Sequence, residues 1–256
     1  KAMIIDADTW IGHWPFRSLP KRSAGDLLEQ MDRLDITKAL VGNLNGLLYK
    51  DVHESNHELA AEMRRQGDRL VPCALINPLY DGWRDDLRQC REQFGMPVLR
   101  LTPDYHGYTL SDPCASELIA AAHGLGMRVA FYWRLVDPRG RHWLDPGRET
   151  SEALVEQVLA QFPEHPFLML NFRRVLARPA PAIPCLYDIP LFLGRNGLLL
   201  MDQIAAHGAA TFALGTTMLM RYGSAPLLAL EKCDLSIEDR EAILWRNIVK
   251  LIPDLD

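Results

Sequence analysis

The sequence predicts an α/β protein built as a single (β/α)8 TIM-type barrel over residues 1–256. Three observations predict it. Short apolar runs alternate with helical patterns, the order that makes a parallel sheet with right-handed crossovers. Eight such units can be counted, and eight units in about 250 residues is the usual size of a closed barrel. An open doubly wound sheet is the alternative, but no strand is followed by G-x-G-x-x-G or G-x-x-x-x-G-K-[ST].

The elements follow in order. Met3–Ile5 starts the first strand, and Leu27, Leu28, Met31 and Leu34 recur at helical spacing after Ser23-Ala24-Gly25-Asp26. Ala39–Val41 is a second strand and Asn56–Arg65 a helix with Leu59, Ala60 and Met63 on one face. Leu70–Ile76 is the third strand, and Trp83, Leu87 and Cys90 mark the next helix. Val98–Leu101 is the fourth strand, and the Ala-rich run Ala115–Gly124 is helical. Arg128–Trp133 and Phe167–Leu170 are strands five and six, on either side of a helix over Glu152–Phe162. Leu198–Met201 is predicted as the seventh strand and Phe212–Gly215 as the eighth, with Ile237–Leu251 the closing helix. Four prolines between Arg178 and Gly197 leave little room for a helix before Leu191, so this segment reads as a lid or a rigid connector.

Composition narrows the function. The chain is 48% apolar, enough for a full core, and its net charge of −5 argues against nucleic acid as a partner. Five scattered cysteines without C-x-x-C predict a reduced, cytoplasmic protein with no structural zinc knot. Asp6 and Asp8 interrupt the first apolar run, so no signal-peptide core is expected there. No long apolar window free of charge predicts a membrane span.

In a barrel, function sits where strands end. Several segments there resemble the amidohydrolase superfamily, in particular its amidohydrolase-2 branch, which includes decarboxylases. They are Ile4-Ile5-Asp6 with Gly12, the run Val98–Tyr108, Leu214-Gly215-Thr216-Thr217, and the helix Ile237–Asn247. The likeness covers most of the chain in the right order. It implies a first-strand His pair at Asp8 and Trp10, a strand-five His at Tyr132, a strand-six His at Asn171 and a strand-eight Asp at Thr217. Only Asp8 of these is a good zinc ligand, because zinc takes nitrogen, sulfur or carboxylate donors at about 2.0–2.3 Å. Gly12-His13-Trp14-Pro15-Phe16-Arg17 resembles a subgroup in which the first-strand histidines are often missing. The expectation is therefore no metal and no cofactor, with a divalent metal such as zinc as the alternative.

Asp8 is the leading catalytic candidate, as a partly desolvated base, and the competing reading is a carboxylate paired with Arg100 or Arg134. Asn171 or Tyr132 is expected to polarise a carbonyl, and Thr217 to bind substrate. Arg100, Arg134 and Arg173 are expected to bind an anion, against ion pairing with Asp104, Asp137 or Asp202. Trp10, Tyr132 and Trp133 either wall a ligand or, for Trp10, fill the space of a metal. His106 is a substrate-binding or proton-shuttling residue, and with His13 and Asp8 it is the relocated-metal alternative. The pair His53 and His57 reads as a solvated helix face.

Two functions from different classes follow. One is a metal-independent hydrolase or lyase acting on a small carboxylated, anionic molecule. The other is a binding or scaffold barrel without catalysis. Barrels of this branch often pair, and Met218–Met220 reads either as an oligomer contact or as the packed end of strand eight.

Overall fold

The computed structural model describes residues 3–177, 183, 185–191 and 198–256. Among these residues eight strands form one sheet in the order β1 to β8, every neighbouring pair parallel. The strands are β1 (Ile5–Ile11), β2 (Lys38–Asn43), β3 (Leu70–Ala74), β4 (Val98–Leu101), β5 (Arg128–Tyr132), β6 (Phe167–Leu170), β7 (Leu186–Asp188) and β8 (Phe212–Ala213). The sheet closes at the seam between β1 and the segment that extends β8. There Ala7 N donates to Leu214 O at 2.8 Å, Thr217 N to Asp8 O at 2.7 Å and Leu219 N to Trp10 O at 3.1 Å. The result is a nearly closed (β/α)8 barrel, as expected.

The outer layer is α1 (Ala24–Arg33), α2 (Val52–Gln66), α3 (Trp83–Glu92), the short α4 (Pro103–His106), α5 (Pro113–Gly124), α6 (Glu152–Gln161), α7 (Leu198–His207) and α8 (Ser224–Lys232). Ser23 and Asp26 form a capping box that starts α1. The closing helix is interrupted. It runs as α9 (Ile237–Glu241), a π-helical turn over Ala242–Arg246, and α10 (Asn247–Leu251). At this turn Ile243 O accepts from Leu214 N at 2.9 Å, which ties the helix to the end of β8. Asn247 Nδ2 completes the tie by donating to Ala209 O and Phe212 O, each at 2.9 Å.

The period of two along each strand separates two cores. Phe167 and Met169 pack outward among the helices, while Leu168 and Leu170 fill the barrel with Ala130, Leu40 and Val98. In β1 the phase changes. Asp6 pairs with Ala39 and Thr9 with Val41, so β1 carries one extra residue between them. Such a bulge re-aims the side chains beyond it. Ile5 and Ala7 face the barrel interior before it, and Trp10 does so after it.

The seventh strand differs from the sequence expectation. It is Leu186–Asp188, and Leu198–Met201 is the first turn of α7. Three residues are too few for a periodic signal, whereas the run of leucines imitates a buried strand. Asp202, considered as a strand-end residue, is instead exposed on α7. Most of the Pro-rich segment 178–197 lies outside the described residues, so its reading as lid or connector is left there. Met218 and Met220 are buried within the chain as the packed end of strand eight. All five cysteines are free. No helix among the described residues is long and apolar enough to cross a membrane.

Candidate active site

Asp8, Arg100, Tyr132, Asn171 and Thr217 come together at the C-terminal ends of the strands, and all are buried. Asp8 is the hub. Tyr132 OH donates to Asp8 Oδ1, and Thr217 Oγ1 donates to Asp8 Oδ2 at 2.9 Å. Arg100 Nη1 lies 3.4 Å from Asp8 Oδ1, and neither side chain has solvent exposure. The same guanidinium donates to Thr9 O at 2.9 Å and Leu40 O at 3.0 Å. It stacks over the Trp10 ring at 4.7 Å, and Trp10 lies 5.6 Å from Tyr132. A cation over an indole face in a dry interior is well stabilised. Burial raises the Tyr132 hydroxyl well above its usual pKa, so it remains a donor.

Beside the hub are groups that strand-end reasoning did not select. Asp188, at the end of β7, accepts from Asn171 N at 2.7 Å through Oδ1. Its Oδ2 is buried without a hydrogen-bond partner among the described residues, and burial, with help from the Asp8 charge, raises its pKa well above the carboxylate range. Asp6 accepts from Thr216 Oγ1 at 2.5 Å and Thr216 N at 3.0 Å, and burial lifts its pKa to about 7. Arg221 Nη1 donates to Asn171 Oδ1 at 3.0 Å. Asn171 and Thr217 both hold positive φ, +58° each. Asn tolerates that region, but a β-branched Thr there is strained.

The other predicted residues lie apart from the hub. Arg134 pairs with Glu149 at 2.9 Å and Asp137 at 3.1 Å and stacks on Trp133. Arg173 is exposed and stacks on the same ring at 4.2 Å. Trp133 packs in the outer core and not with Trp10. His106 is buried, with Nε2 3.0 Å from Gly46 O, and burial lowers its pKa. His13 is exposed, so the proposed ligand pair is not assembled. His53 is half-buried rather than solvated, its Nε2 2.7 Å from Gln89 Oε1.

The mouth above the hub is nearly filled. A cavity of about 20 Å³ remains among Thr102, Tyr105, Tyr132, Arg134, Leu135 and Arg148, room for about one water. The loop after β5 covers it. Thr150 Oγ1 donates to Tyr132 O at 2.6 Å, and Arg148 N donates to Asp104 Oδ2 at 2.8 Å.

This barrel, with polar strand ends around a first-strand aspartate, has the fold of the amidohydrolase-2 branch. No family model matches the sequence, and no curated protein does. Solved structures do match in fold. The chain is similar to 5-carboxyvanillate decarboxylase from Sphingomonas paucimobilis, at 9% identity over 99% of each chain with a TM-score of 0.76. It is similar to 2,6-dihydroxybenzoate decarboxylase from Rhizobium, at 15% identity over 98% of each chain with a TM-score of 0.73. A dihydroxybenzoic acid decarboxylase from Polaromonas sp. JS666, with bound manganese and 2-nitroresorcinol, matches at 13% identity and a TM-score of 0.70, covering 98% of this chain and 97% of that one.

The manganese corrects the expectation of no cofactor, because the same fold houses a metal in that protein. The lost histidines describe the donors of this chain and do not settle the cofactor of the fold. Manganese takes carboxylate, imidazole and water donors. Here both Asp8 oxygens are engaged by Tyr132, Thr217 and Arg100, and Trp10 offers no lone pair. Among the described residues no three His, Cys, Asp or Glu side chains are grouped to hold an ion. These side chains, as arranged, do not fit the metal.

Proposed function

We propose that this chain is an amidohydrolase-type lyase or hydrolase acting on a small carboxylated aromatic at the C-terminal mouth of the barrel. The observation that carries this reading is the concentration of uncompensated polar groups at the strand ends. Among the described residues Asp188 Oδ2 and Trp10 Nε1 lack hydrogen-bond partners, and Thr217 is strained, all within one buried cluster. Such costs gather where a site does chemistry. Carboxylated aromatics are named for the neighbours of this fold, which supports that substrate class here.

In this proposal Asp8 is the base, and Tyr132 and Asn171 polarise the substrate carbonyl with Thr217 holding Asp8 in place. Arg134, on the small mouth cavity, meets the substrate carboxylate, whereas Arg173 and His106 do not line that cavity. Arg100 and Trp10 fix the charge beneath. The loop after β5 must open to admit a ring, since the space beneath it is about 20 Å³.

The test is a panel of hydroxylated benzoates, followed by carbon dioxide release and by loss of ultraviolet absorbance, with and without added manganese. Turnover abolished in Asp8→Asn, with ligand binding retained, is the expected result. A second reading, a barrel that binds without catalysis, is favoured by one observation: Asp8 has no solvent exposure and both its oxygens are engaged. Ligand binding with no turnover under either metal condition would select it.

A further inference from the structure

Outside the mouth, a groove of about 570 Å³ lies between α1 and the segment Met218–Ser224 that follows β8. That is the size of a site for a small organic molecule. Four cations line it, Arg17, Lys21, Arg33 and Arg221, and no acidic residue does, in a chain whose net charge is −5. Lys21 and Arg33 share one carboxylate, Glu29, which lies outside the lining. Arg17 and Arg221 donate to neutral oxygens of Met220, Asn171 and Leu135. Arg221 also faces the charges of Asp8 and Asp188, so the excess positive charge of the groove rests on Arg17, Lys21 and Arg33, set against the single carboxylate Glu29. The floor is apolar and adaptable, made by Leu19, Leu34, Met218 and Leu219. Gln30 adds an amide nitrogen buried in the wall without a hydrogen-bond partner among the described residues.

We propose that this groove is a second binding site, for a small amphiphilic organic anion: an apolar aryl or alkyl body on the floor and a carboxylate or phosphate among the cations. Charge complementarity selects the anion, since a guanidinium pair binds such a head bidentately. The apolar floor selects the body, since a bare inorganic anion would leave it wet. The groove meets the hub at one residue, Arg221, which donates to Asn171, while Arg17, Lys21 and Arg33 lie outside the hub, so binding here does not depend on the reaction proposed there.

The probe is 1-anilinonaphthalene-8-sulfonate, titrated by fluorescence on the full chain. Saturable 1:1 binding is expected, weakened by added salt. Lys21→Glu with Arg33→Glu should weaken it about tenfold or more. Arg65→Glu, a distant exposed site, should leave it unchanged. Displacement by an aryl carboxylate or by an alkyl carboxylate then identifies the natural body. Absence of saturable binding overturns the proposal, as does a double reversal no weaker than the control. Should the double variant melt early, salt-insensitive binding to the unmodified chain overturns it equally.

Discussion

Asp8 has three side-chain partners, Tyr132, Thr217 and Arg100, in a place with no solvent exposure, and each has a separate energetic role. Tyr132→Phe removes one donor and leaves a buried carboxylate oxygen under-satisfied, at a cost of about 1–3 kcal/mol. Arg100→Met removes the counter-cation, and the charge left behind should cost about 3–5 kcal/mol. Combining it with Asp8→Asn should recover much of that loss, because no uncompensated charge remains. Urea unfolding of the two single variants and the double closes this cycle, and simple additivity would refute the pairing. The members of the hub were legible in the sequence because each lies in or just after an expected strand, at places the resemblance also marks for Asp8, Tyr132, Asn171 and Thr217. The residues beside it were not. Asp188 follows a strand too short to show a period, and Arg221 reaches in from a loop on a long side chain. Asp6 looked like the polar end of an apolar run until the bulge and Thr216 gave it a buried partner.

At the scale of the element, β2 makes room for what β1 and β4 carry. A Cβ at Gly42 would lie 2.7 Å from the Trp10 ring and 2.8 Å from Arg100 Nη1. Gly42→Ala should therefore destabilise by about 1–3 kcal/mol, through overpacking against a stack that two backbone carbonyls hold in place. Gly124→Ala is the contrast. It ends α5 with open space around it and should stabilise by up to about 1 kcal/mol. Thermal melts of the two variants should move in opposite directions, and a shared direction would show that steric room is not what distinguishes them. Seven strands were readable because each has an apolar run bounded by turn residues. The one misplaced, β7, was displaced by α7: Leu198-Leu199-Leu200-Met201 has the composition of a buried strand, but it forms the first turn of a helix. The bulge in β1 has no sequence signal at all, since it is a matter of register with β2.

For the molecule as a whole, the buried carboxyls set the pH of greatest stability. An ordinary Asp titrates near 4 in the unfolded chain, whereas Asp6 titrates at about 7 in the folded one. Between those values the folded state holds a proton that the unfolded state has released, so stability falls as pH rises from about 4 to about 7. Asp188 is shifted in the same direction and adds to the fall. The opposite group is at the surface. Asp26 is held down to about 2 by the Ser23 hydroxyl and backbone, so its contribution is present above about 4 and lost as pH drops through about 2. The two trends meet at the ordinary carboxyl value, and the melting temperature should peak near pH 4 rather than pH 7. Asp6→Asn separates the causes, because the amide imitates the neutral carboxyl that the folded state prefers. It should be nearly neutral at about pH 4 and stabilising by a few kcal/mol, to order of magnitude, at about pH 8. Unfolding by urea at those two pH values measures the difference. Equal effects at both would mean that Asp6 is charged in the folded chain, with Thr216 and the Asp8 amide sufficient to hold it so.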